Sequence, residues 1–94
     1  MRYYIIYILK VNDEIESTME NINNFIKKKA EIEKIVKEGI KKLNYPIKGH
    51  EKAYYTKTFF TYKDDVIIAE LENFVKKNDN VLAASVWRIE GEEL

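Results

Sequence analysis

"EIEKIVKEGIKKL", Glu31–Leu43, admits two readings, and the architecture of the whole chain turns on the choice between them. Ile32, Ile35, Val36, Ile40 and Leu43 fall at helical spacing, so periodicity would carry a preceding helix through to Leu43. Against that, Gly39 lies inside the run, where it costs roughly 1 kcal/mol relative to alanine in a helix. The competing reading is a strand with a β-bulge at Gly39, because glycine takes the left-handed geometry that such a bulge demands. Pattern counting leaves both open. Pro46 bounds both, since it drives Tyr45 out of helical backbone and ends any helix by that point.

The flanking segments are plainer. "RYYIIYILKV" reads as a strand from about Arg2 to Lys10. Tyr4, Ile6 and Ile8 lie on one side of it and Tyr3, Ile5, Tyr7 and Leu9 on the other, as in a central strand covered on both faces. Asn12 or Asp13 is placed to cap a helix. Ile15, Met19, Ile22 and Ile26 form its apolar stripe, and Lys27, Lys28 and Lys29 suit its negative end. After Pro46, "KGHEK" reads as a loop with Gly49 available for positive φ, and "AYYTKTFFTYK" as a strand. Asp64 and Asp65 open a second helix with Ile67, Ile68, Leu71, Phe74 and Val75 on one side. "KKNDN" ends it before a last strand, "VLAASVWRIE". With residues 31–45 extended, the order is β-α-β-β-α-β. That order is the α+β, ferredoxin-like arrangement, with a four-stranded antiparallel sheet and two helices on one face. With 31–45 helical, only three strands remain.

Ninety-four residues suit a single domain, 1–94, near the small end for a core without staples. Without cysteine there is no disulfide framework and no thiolate metal site, and His50 alone reads as a solvated loop histidine. The apolar run at the N-terminus is too short for a signal peptide or a membrane span, so a soluble, cytoplasmic chain is expected. The zero net charge hides an asymmetry. Residues 27–63 hold eleven lysines and four glutamates, a net +7, and the rest of the chain carries −7. Such a dipolar chain can dock an anion on one side; a merely solvated helix end and strand would have the same composition.

From "MRYY" to "DNVLAASVWR" the chain resembles the bacterial small-subunit ribosomal protein S6 family. "GIKKLNYPI" carries most of the likeness, being similar to that family's glycine, basic pair and Leu-Ala-Tyr-Pro-Ile signature at unchanged spacing, with "NDNV" at the expected distance before the final strand. The resemblance implies that 31–45 is the second strand. It also implies binding of the central domain of small-subunit (16S) ribosomal RNA together with ribosomal protein S18, in the small ribosomal subunit, with no enzymatic activity, cofactor, membrane or small-molecule substrate. Tyr4 replaces the family's glutamate, Lys41 and Lys42 its arginine pair, Asn44 its alanine, and Ala83 a usual arginine. The lysine pair keeps the charge but loses the planar fork that grips phosphate from two sides.

Arg2, Lys41 and Lys42 follow from the motif as phosphate ligands, Lys48 and Lys52 from loop position and charge, and Arg88 from a basic position of the family. Tyr45 is an RNA-contact candidate whose structural role, with Pro46, is a rigid end to the strand. Tyr54, Phe60, Tyr62 and Trp87 are the expected protein-partner surface, since aromatics occur on both sides of the third strand and not all can lie under helices. Three rivals share the topology. An RRM-like single-strand RNA binder would need glycines that "AYYTKTFF" lacks. An acylphosphatase-like enzyme would need a glycine-rich phosphate cradle, yet Gly39, Gly49 and Gly91 are scattered. A homodimeric regulatory domain would pair through its sheet.

Overall fold

Glu31–Ile47 is extended throughout in the computed structural model, which describes residues 1–62 and 66–90. The chain runs β1 (Arg2–Leu9), α1 (Ile15–Lys27), β2 (Glu31–Ile47), β3 (His50–Thr61), α2 (Val66–Lys76) and β4 (Val81–Arg88). Four strands form one sheet in the order β2-β3-β1-β4, with every neighbouring pair antiparallel. This is the ferredoxin-like arrangement.

Two bulges break the apparent helical spacing of β2. The register against β3 shifts between Ile32 and Lys34 and again between Lys37 and Gly39, so Glu33 and Glu38 are extra residues on the longer strand. Gly39 has φ +87°, and a Cβ there would meet nothing within 4 Å, so backbone conformation and not lack of space demands glycine. Each extra residue moves the phase of the isoleucines by one, which is how an extended segment counterfeits a helical stripe.

α1 starts one residue beyond the expected caps. Its N-cap position is Glu14, which makes no side-chain cap, while Asn12 Oδ1 accepts from the Glu14 amide at 2.9 Å. Asn80 ties the same corner to β4: its carbonyl accepts from the Lys10 amide at 2.8 Å, and its side-chain oxygen accepts from Asn12 Nδ2 at 2.9 Å. "NDNV" therefore closes a junction as well as a helix. The opening of α2 by Asp64 and Asp65, and the side chain of Ile67, lie outside the described residues.

The β1–β3 register sets the faces. Tyr3, Ile5, Tyr7 and Leu9 lie opposite Phe60, Thr58, Thr56 and Tyr54, and this layer is covered by Met19, Ile22 and Ile26 of α1 and Leu71 and Val75 of α2. Each fully buried aliphatic side chain contributes about 1.5–3 kcal/mol. Buried Thr58 donates to Asn23 Oδ1 at 2.8 Å, and Thr56 to the Val36 carbonyl at 3.2 Å, so neither hydroxyl is stranded in the core. Tyr7 is fully buried beside them, and that burial pushes its ionisation upward.

This register corrects the expected partner surface. Phe60 is fully buried and stacks on Tyr3 at 5.7 Å, and Tyr54 and Tyr62 are partly buried against the same core. All three share the helix-covered side, in phase with the buried threonines. Lys57 was the legible signal, since a lysine among Tyr55, Phe59 and Thr61 marks that set as the solvated one.

Candidate functional site

β2 and β3 form a hairpin whose turn is two residues long. Lys48 (φ +49°) and Gly49 (φ +83°) both take positive φ, the geometry that matches strand twist in a tight hairpin, and His50 already pairs with Ile47. The expected "KGHEK" loop is thus mostly strand, and Lys48 sits at the apex in a conformation lysine rarely adopts.

Before the turn the hairpin arches. The ladder passes from Lys42 opposite Lys52 to Ile47 opposite His50, leaving four residues of β2 against one of β3. Leu43 folds inward and, with Ala53 and Leu82, forms a second small core joined by Ile8, Ile47 and Tyr55. Tyr45 points out and is 82% exposed. Pro46 lies in the arch, where its missing N–H costs the ladder nothing.

The cations of the hairpin are arranged against their own interest. Lys42 and Lys52 face each other directly across the ladder, and like charges so placed are destabilising. Among the described residues, neither they nor Lys48 make an ion pair. Lys41 is held differently, 3.6 Å from Glu38 and with Nζ 5.4 Å from the ring centre of Tyr55. Lys41, Lys42, Tyr45, Lys48 and Lys52 are thereby brought to one end of the sheet.

Arg2 and Arg88 are not. They lie where β1 begins and β4 ends, at the far end of the strands. Arg2 grips Glu33 with two nitrogens, at 3.0 and 3.3 Å, and Thr61 donates to the same carboxylate. The Arg2 hydrogen bond, and then that of Thr61, hold the Glu33 carboxyl below the usual carboxylate range. Arg88 is 3.6 Å from Glu90.

The face of the sheet away from the helices divides in two. On its β2–β3 half, Lys34 sits 4.9 Å from the ring centre of Phe59, and Lys57 is 3.5 Å from Glu38. Sequence reasoning missed Lys34 and Glu38, because only the bulges reveal which side they share, and it missed Lys57, although alternation along β3 alone sets that lysine opposite in phase to Phe60. On the β1–β4 half, Ile6, Ile8, Ala83, Ser85 and Trp87 line a shallow apolar groove. Tyr4 borders it, stacked on Phe59 at 5.4 Å, and Trp87 is 53% exposed. Among the described residues, no group of three or more His, Cys, Asp or Glu could hold a metal ion, and no helix is long and apolar enough to cross a membrane.

The model of the family described as ribosomal protein S6 matches residues 2–88. Small ribosomal subunit protein bS6 of Phytoplasma australiense is 34% identical over 91 residues, spanning 86% of this chain and 90% of that protein. The protein of the same name from Helicobacter pylori strain P12 is 34% identical over 98 residues, spanning 99% of this chain and 68% of that one. The crystal structure of 30S ribosomal protein S6 from Thermotoga maritima superposes with a TM-score of 0.86 at 26% identity, covering 94% of this chain and 86% of that one. The C-terminal domain of the MgtC protein from Mycobacterium tuberculosis, at 11% identity and a TM-score of 0.64, shares the fold alone. With residues 31–45 in the second strand, as the resemblance implied, and the family model matching residues 2–88, the chain belongs to the ribosomal protein S6 family.

Proposed function

We propose that this chain is a structural constituent of the small ribosomal subunit, binding the central domain of 16S ribosomal RNA together with ribosomal protein S18. The observation that carries the RNA half of this reading is the hairpin end. Lys42 and Lys52 oppose each other without an acid, Lys48 crowns the turn, and Tyr45 stands clear of the arch. Repulsion within such a cluster is relieved by a phosphate between the ammonium groups, and an exposed tyrosine offers a ring to an unstacked base or sugar. Lys41 would join them only by exchanging Glu38 for phosphate.

The protein partner covers the β1–β4 half of the helix-free face, where Ile6, Ile8, Ala83 and Trp87 leave apolar surface beside an open strand edge. The chain acts by binding, in the cytoplasm, and without catalysis. Few phosphate contacts on a protein of zero net charge give weak binding alone, so affinity depends on further charge supplied by S18. Salt titration of binding to a central-domain 16S fragment, with and without S18, tests this. A tighter complex and a steeper salt dependence with S18 are expected. Equal affinities and slopes would reject cooperative loading, and failure of the chain to copurify with small subunits would reject the reading altogether.

A further inference from the structure

The two bulges of β2 have a consequence for charge. Each inserts one glutamate, and each carboxylate ends on the helix-free face against cations of that face: Glu33 on Arg2, and Glu38 on both Lys41 and Lys57. Glu38 lies 3.6 Å from Lys41 and 3.5 Å from Lys57, and its side chain is less exposed than either lysine, 25% against 51% and 32%. It sits within ion-pair distance of both as their shared counter-anion. Farther along the same hairpin, Lys42, Lys48 and Lys52 have no such acid among the described residues.

Resting on the RNA-binding reading above, we propose that Glu38 is a specificity-determining residue of that surface. Its carboxylate occupies Lys41 and Lys57, so the flat part of the sheet does not bind phosphate indiscriminately and the charge contacts are confined to the arched end. Non-specific affinity for RNA is set by the number of phosphates neutralised, whereas selectivity comes from the shape in which a few contacts are offered. A bulge acid on the open face lowers the first without touching the second. Lys41, 3.6 Å from Glu38, also lies with Nζ 5.4 Å from the ring centre of Tyr55.

The test uses the full chain and its Glu38→Gln variant, titrated with KCl against a central-domain 16S fragment and against an unrelated RNA duplex of equal length. On the unrelated duplex, the variant is expected to bind several-fold tighter at low salt. Its log–log salt slope steepens by about 1 to 2, one phosphate for each lysine released. Preference for the 16S fragment falls accordingly. Adding Lys41→Ala and Lys57→Ala to Glu38→Gln should return the duplex affinity to that of the parent chain. Glu72→Gln makes the same change in net charge at the α2 pair with Lys76 and should leave the duplex slope unchanged. An unaltered duplex slope in Glu38→Gln overturns the proposal, as does an equal gain in Glu72→Gln or a gain that survives loss of both lysines. If instead the parent chain shows no preference for the 16S fragment at any salt, the RNA-binding reading fails, and the duplex comparison between parent and variant still decides the role of Glu38.

Discussion

β2 and β4 are both edge strands of the same sheet, and they meet water differently. β2 runs seventeen residues, is bulged twice, and carries Lys34, Lys37, Glu38, Lys41 and Lys42 along its length. β4 runs eight residues and has no charged side chain before Arg88. Bulges and lysines are the usual means of keeping a free edge from templating another strand. β2 therefore defends itself and in doing so displays charge, whereas β4 is short and apolar and reads as an edge meant to be covered. One sheet thus has a cationic end on its longest strand and an apolar flank on the other side.

The largest expected effect concerns the charged end. Replacing Lys42, Lys48 and Lys52 together by alanine should weaken binding to the 16S fragment on the order of a hundredfold near 0.1 M salt. The salt slope should fall by about 2 to 3. Thermal stability should not fall, because opposed lysines are being removed. A variant that binds as before would show that this end of β2 is only a solvated hairpin.

Gly39→Val addresses the bulge itself. A β-branched residue forced to φ +87° should cost about 2 kcal/mol in urea denaturation, although its Cβ meets no neighbour. Ala83→Val in β4, a position without positive φ, should change stability by no more than about 0.5 kcal/mol. Equal costs in the two strands would mean that the left-handed glycine does not distinguish them.

Trp87→Ala should leave the isolated chain within about 1 kcal/mol of its stability, because the ring is half exposed. Affinity for S18 should nevertheless drop by about tenfold or more, as for a buried aromatic anchor. Calorimetry of the pair, compared with denaturation of the single chain, separates the two.

The smallest effect is a pH dependence. Glu33 has its ionisation lowered in the folded chain by Arg2 and Thr61, so its charged form is favoured by folding. The stability it adds is present above the ordinary carboxylate range, about pH 4.3, and is lost as pH falls through its lower folded value. Urea midpoints measured between pH 6 and pH 2.5 should decline less steeply in Glu33→Gln than in the parent. Because the pair lies at the surface, the difference will be a fraction of the whole acid transition.

Much of this molecule was legible in its residues. The apolar alternation of β1, the stripe of Ile15, Met19, Ile22 and Ile26, and the glycine that admits a bulge all report local backbone preferences and burial, which the chain encodes position by position. The lysines of the hairpin were legible too, since charge and turn residues mark a solvated end. What the residues could not supply was phase. Glu33 gave no glycine to announce its bulge, so the side on which Glu33 and Lys34 stand could not be counted from the sequence. Phe60 reads as a surface aromatic because both sides of β3 carry aromatics, and the pairing with Tyr3 sets it beneath the helices. Composition and the charged hairpin were therefore fixed by local chemistry, whereas the extended state of Glu31–Ile47, and with it the element order, was not. Which cations are free, which are held by an acid, and which face is left bare were decided by strand register, because shifting a strand by one residue exchanges its two sides.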